Sequence, residues 1–308
     1  MHRALGRLLR LLLFAGLLTI SALSAAAPRV LVLTPAFDGV HAEILDALRA
    51  ALPDSPTGLE VETLPATAEN LPRALAASIV VTLGSEAAAL VSSLPAATPV
   101  LHIMLPAAAL GGLSMDHRRA MAIVLDQPAS RLVALLRLAL PAERKVALIS
   151  GPGSQLAVDE LQRTATEAGL RVARTHVASN RELFAALERV LAEPAVLIAS
   201  PDSTVFNRHT VQNILLTTFR RHSPVMGFSA AYVQAGAMLG LYSTPRQIGE
   251  DGADAVLELL AGKPQAAIRS PNRFEVGVNR NVARALSFEL PSAETLTRDL
   301  RREEGDEP

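Results

Sequence analysis

The chain has 308 residues, 50% of them apolar, 19% charged and 3% aromatic, with no cysteine and no tryptophan. That length can bury one large or two medium cores, and the composition excludes the disordered and fibrous classes. Without cysteine there are no disulfides, thiolate metal sites or cysteine-linked lipid, and 29 basic against 30 acidic residues leave no field for a nucleic acid or an anionic membrane.

The first ten residues carry Arg3, Arg7 and Arg10 and no acid. Leu11 to Leu18 is a short apolar stretch, and Ser21 to Ala27 is rich in small residues. This is the three-part pattern of a secretory signal peptide, expected over residues 1–27 with cleavage after Ala26 or Ala27. The other reading is an uncleaved anchor, for which the apolar run is short. Removal of residues 1–26 takes away three arginines and leaves 26 basic and 30 acidic residues, a net charge of −4. The expectation is an exported periplasmic protein that is not a lipoprotein.

From Pro28 onward, apolar strands alternate with amphipathic helices. Strands are expected at residues 29–33, 59–64, 78–83 and 99–104, with a helix at 40–51. Their continuous apolar character fits a parallel sheet covered on both faces. A second set starts near residue 121. Its helices are expected at 131–140, 155–168, 181–191 and 206–221, and its strands at 145–150, 171–177, 195–199 and 224–228. A helix over 247–260, a strand over 274–278 and a helix near 282–286 follow. Strands and helices alternating at this spacing imply an α/β fold with right-handed crossovers. Two doubly wound parallel-sheet lobes are expected, the last pieces returning to both. Lobe 1 is assigned residues 28–120 plus 245–265, lobe 2 residues 121–244 plus 266–291, and residues 292–308 a charged, solvated tail.

Open α/β sheets bind ligands beyond the carboxyl ends of their strands. The loops there carry Ser85, Gln127, Ser154, Asp202, Ser203, Ser229 and Tyr232, a set suited to a small polar or amphipathic ligand. Ser85, Ser154 and Ser203 could equally cap helices. Asp202 follows an apolar strand, where it could face a ligand ammonium or complement a helix start. Gly227-Phe228-Ser229-Ala230-Ala231 has the outline of a hydrolase nucleophile elbow, but His222 is the last histidine and no base follows Ser229. The seven histidines form no i, i+4 pair, so neither a metal nor another cofactor is expected.

Val124-Leu125-Asp126-Gln127-Pro128, Pro201-Asp202-Ser203-Thr204-Val205-Phe206-Asn207, Gly227 to Val233, Tyr242 to Gly249 and Phe274 to Ala283 resemble ABC-transporter substrate-binding proteins, in the branch related to aromatic amino-acid binding. The resemblance is strongest from about 120 to 290. It implies a type I periplasmic-binding fold with a three-segment hinge, the crossings near residues 119–127, 241–247 and 265–273. It also implies a non-enzymatic, monomeric receptor that takes a small molecule in its cleft. Asp202 then corresponds to an acid used on a ligand amino group, and Thr82, Ser85 and Ser229 to hydroxyls lining the cleft. The implied partner is an ABC permease. The alternatives are a sensing module feeding a signalling receptor and an exported hydrolase. Thr34-Pro35-Ala36 and Gly84-Ser85-Glu86 depart from the family's polar run and Gly-Thr step, which weakens the case for an amino acid.

Overall fold

The computed structural model of the chain describes residues 28–52, 59–95, 97–113, 115, 120–263 and 266–305. The leader expected over residues 1–27 lies outside them.

β1 (Arg29–Thr34) is buried at every position but its first, as its unbroken apolar run requires. α1 (Gly39–Ala51) returns across the sheet with Ile44, Leu45 and Leu48 inward. β2 (Glu60–Pro65), α2 (Leu71–Leu75), β3 (Ile79–Leu83), α3 (Gly84–Leu90), β4 (Val100–Leu105) and β5 (Ala120–Val124) follow. The chain then enters a second unit. It consists of α4 (Ala129–Ala139), β6 (Lys145–Ser150), α5 (Gln155–Glu167), β7 (Arg171–His176), α6 (Leu183–Val190), β8 (Val196–Ile198), α7 (Val211–Arg220), β9 (Val225–Gly227), α8 (Ala230–Ala235) and β10 (Leu239–Tyr242). α9 (Pro245–Leu260) and β11 (Ile268–Arg269) go back to the first unit, and β12 (Glu275–Val278), α10 (Arg280–Ala285) and α11 (Ala293–Glu303) belong to the second.

Two six-stranded sheets result among the described residues. The first has the order β11-β5-β4-β3-β1-β2 and the second β12-β10-β9-β8-β6-β7. Every pairing is parallel except β10 with β12. Three short segments cross between the sheets: 125–128 after β5, 243–244 after β10, and 270–274 between β11 and β12. The expected α/β architecture of two lobes on a three-segment hinge is the one observed.

Several elements differ from expectation. β5 hydrogen-bonds into the first sheet, so the first change of lobe falls at 125–128 rather than at residue 120. Residues 241 and 242, read as the start of a crossing, instead belong to the strand Leu239–Tyr242 of the second sheet. The helix expected from Phe206 starts only at Val211, because side chains hold 202–210 in turns: Asn207 Oδ1 accepts from His209 N, and Thr210 Oγ1 donates to the Val205 carbonyl. The tail up to Glu303 is helical, not solvated coil. Ser292 caps it, and Leu296 and Leu300, one turn apart, are buried against the second lobe.

α9 shows how the sequence sets packing. A capping box fixes its start, with Thr244 accepting from Gln247 N and Gln247 accepting from Thr244 N, and Pro245 takes the first turn. Gly249 then lets α1 approach so closely that an added Cβ would lie 2.5 Å from the Ile44 carbonyl oxygen and 2.8 Å from Leu48 N. Helix propensity alone favours Gly249→Ala by about 1 kcal/mol. Backbone atoms cannot yield as side chains do, so overpacking wins and the variant should lose about 1–2 kcal/mol in denaturant unfolding. A stabilised Gly249→Ala protein would show that the α1–α9 contact is not close in solution.

Candidate functional site

The carboxyl ends of the parallel strands in both sheets turn toward the space between the lobes. The lobes touch there: Gly153, after β6, lies so near the segment after β4 that an added Cβ would be 2.9 Å from Ala108 Cβ. Beside this contact is a cavity of about 240 Å³ walled by both lobes and the hinge. Ala107 and Val124 come from the first lobe, Asp126, Gln127 and Ser270 from the crossings, and Ser200, Phe228 and Leu132 from the second lobe. Most of the lining is apolar, with a few polar groups at fixed places, as in small-molecule sites generally.

A bulge in β4 places the most notable of those groups. Met104 adopts φ 61°, in the left-handed region. The β4–β5 register shifts between His102 and Leu105, so that Leu105 pairs with Val124. Two residues on, Ala107 N donates to Asp126 Oδ2 at 2.7 Å. Burial pushes the Asp126 carboxyl above its ordinary pKa, and its backbone hydrogen bonds only partly oppose this. Among the described residues, Asp126 and Glu160 are the acids lining the cavity, and no Lys, Arg or His lines it.

Asp202 lies just beyond the lining residue Pro201 and is buried. Ser154 Oγ donates to its Oδ2 at 2.6 Å, Thr204 N donates to its Oδ1 at 2.8 Å, and Gly151 N donates to Ser154 Oγ. Gly151 packs against the carboxylate so tightly that an added Cβ would meet both oxygens within 2.6 Å. Asp202 and Ser154 thus tie the loops after β6 and β8 together.

Residues 106–293, more than half of the chain, match the family of ABC transporter substrate binding proteins. The chain belongs to that family. Its members are solute-binding proteins rather than enzymes, and the type I periplasmic-binding fold is shared with solved structures. One is a conserved domain protein from Vibrio cholerae, 20% identical, with a TM-score of 0.60 over 88% of this chain and 98% of that one. A second is the ABC domain from Streptococcus pneumonia in complex with L-Trp, at 16% identity and TM-score 0.61 over 88% and 98%. A third is the ligand-free, open structure of a substrate binding protein with adhesive properties from Clostridium difficile, at 15% and 0.63 over 87% and 97%. No curated protein gives a match.

Within this substrate-binding fold, the residues expected to form the site separate. Gln127 lines the cavity, but its side chain braces the hinge: Nε2 donates to Ser243 Oγ, and Oε1 accepts from Arg131. Thr82 is not in the cleft. Strand alternation turns it under α3, fully buried, with its hydroxyl 2.8 Å from His102 Nδ1. Ser85 is exposed in the first turn of α3, whose cap position is Leu83, so it does not cap that helix. Ser203 is also exposed, and its carbonyl accepts from Asn207 Nδ2. Ser229 Oγ accepts from Tyr232 N and caps α8, a structural use of the serine in the elbow-like motif. Tyr232 is buried in a cluster of rings with Phe206 and Phe228. Its hydroxyl has no partner among the described residues, and burial raises its pKa.

Sequence reasoning passed over Asp126, Ser200, Phe228 and Ser270. Asp126 and Phe228 stand in motifs it singled out, but the β4 bulge and the chain crossings that bring them together leave no local signal. Among the described residues no group of three or more His, Cys, Asp or Glu could hold a metal ion, and no helix is long and apolar enough to cross a membrane.

Proposed function

We propose that this protein is exported through its N-terminal leader, captures a small amphipathic solute between its lobes, and delivers it to an ABC permease. The observation that carries the reading is the cavity of about 240 Å³ whose walls come from both lobes and from the hinge. A ligand filling such a cavity is buried only when the lobes close, so binding energy is coupled to hinge motion. Apolar walls at Leu132, Phe228 and Leu241 suit a hydrophobic body, and Asp126, Ser200 and Ser270 supply the polar end. A monomer suffices, since the cavity is complete within one chain.

The test is a thermal-shift survey with amines, amino acids, organic acids and neutral aromatic alcohols. A ligand at 100 times its Kd adds about 2.7 kcal/mol, a rise of a few degrees in Tm. Uptake of the same compound should fall when the gene is deleted. Protection by no class of small molecule, together with unchanged uptake, would refute the reading.

A further inference from the structure

The charge of the cavity is one-sided. Asp126 is bonded by backbone N–H groups, that of Ala107 and its own, and Glu160 stands at the rim. Among the described residues, nothing cationic faces either acid across the lining. The guanidinium nearest to Asp126 in the sequence, that of Arg131, is already held by both oxygens of Glu304, by Gln127 and by the Pro271 carbonyl. A half-buried carboxylate without a cation is costly unless a partner arrives from outside. Apart from the neutral Gln127, Ser200 and Ser270, the rest of the lining is apolar, with Phe228 as its aromatic member.

We infer that the solute selected here is a protonated amine with an apolar body and no carboxylate of its own, its ammonium held by Asp126. This rests on the reading that the inter-lobe cavity is the solute site. The ammonium donates to the carboxylate while the body lies against Phe228, Leu132 and Leu241. A free amino acid fits less well. Its carboxylate sits within a few ångströms of its ammonium, so it would add a third negative charge to a lining that contains Asp126 and Glu160 and no base. Asp202 is not the receptor, because it lies outside the lining and is only 5% exposed, its carboxylate closed in by Gly151, Ser154 and Thr204.

Matched ligands test this by titration calorimetry on the purified protein: 2-phenylethylamine, phenylalanine and 2-phenylethanol, with tryptamine and tryptophan as a second series. Each amine should bind about tenfold or more tighter than its amino acid, and 2-phenylethylamine tighter than the alcohol by a similar factor. Asp126→Asn should remove the amine's advantage and leave the alcohol's affinity unchanged, which also shows that the variant is folded. Asp202→Asn, with its fold checked by the same alcohol, should change the amine-to-alcohol ratio less than twofold. An amino acid bound as tightly as its amine, an unaffected Asp126→Asn, or a loss confined to Asp202→Asn would overturn the inference while leaving solute binding intact. Protection by no compound of any charge class would instead fail the underlying reading.

Discussion

Arg131→Met should lower the unfolding free energy by about 3 kcal/mol, far more than its position on a first helical turn would suggest. The guanidinium is 7% exposed. Its Nε and Nη2 donate to the two oxygens of Glu304 at 2.6 and 2.9 Å, and Nη1 donates to Gln127 Oε1 at 2.7 Å and to the Pro271 carbonyl at 3.0 Å. Its face lies 4.2 Å from the centre of the Phe274 ring. One side chain therefore joins the first crossing at Gln127, the third at Pro271 and the end of the C-terminal helix. Through Gln127 it reaches the second crossing, since Gln127 Nε2 donates to Ser243 Oγ and Ser243 donates to the Arg273 carbonyl.

Methionine matches much of the volume and keeps the ring contact, but it strands four acceptor atoms on three residues. The Pro271 carbonyl is buried and Gln127 half-buried, whereas the Glu304 side chain is 25% exposed and can recover water. Glu304→Gln should accordingly cost less, about 1 kcal/mol, because the amide oxygen still accepts one bond. Denaturant unfolding of the two variants decides the matter. A loss below about 1 kcal/mol in Arg131→Met would show that the crossings hold their places without this hub.

The periodicity of the sequence carried the two-lobed fold because each lobe is assembled from near neighbours. β1, β3 and β6 are continuous apolar runs, and α9 is announced by Thr244-Pro245 with Gln247 behind it. What escaped depends on distant pairings. β10 is four residues long and β11 two, too short for a period-2 signal. Leu296 and Leu300 anchor α11 from within a run of charges that, by composition, resembles a solvated tail. The site was harder still. Ser154 and Asp202 both lie in loops at strand ends, but that they bond each other across 48 residues follows only from the β6–β8 pairing. Thr82 has the composition of a cleft hydroxyl, and only its register opposite His102 on β4 shows it turned into the core. Asp126 owes its place to the bulge at Met104, which no local motif announces.

The Thr82–His102 pair also makes stability depend on pH. His102 is 4% exposed, and the described residues around it beneath α3 include Ala88, Val91, Leu94 and Leu113 and no charged group. Burial holds its pKa down at about 4, against 6.5 when solvated. The sign follows from which state takes the proton first. Above about pH 6.5 the ring is neutral in both states and the fold keeps its full stability. As pH falls from 6.5 toward 4, the unfolded chain binds a proton that the folded chain refuses, so stability drops; below 4 the folded ring also protonates and this loss levels off. A gap of this size corresponds to about 3 kcal/mol, a large part of the 5–15 kcal/mol typical of folded domains. His102→Asn keeps a group able to bond Thr82 but does not titrate. Denaturant melts of both proteins at pH 7, 6, 5 and 4.5 should therefore diverge in slope, the wild type losing stability more steeply by about 2 kcal/mol over the range. Carboxylates and exposed histidines affect both proteins equally and cancel in the difference. Parallel pH profiles would mean that His102 reaches solvent in the native state, and that the core under α3 is open rather than closed.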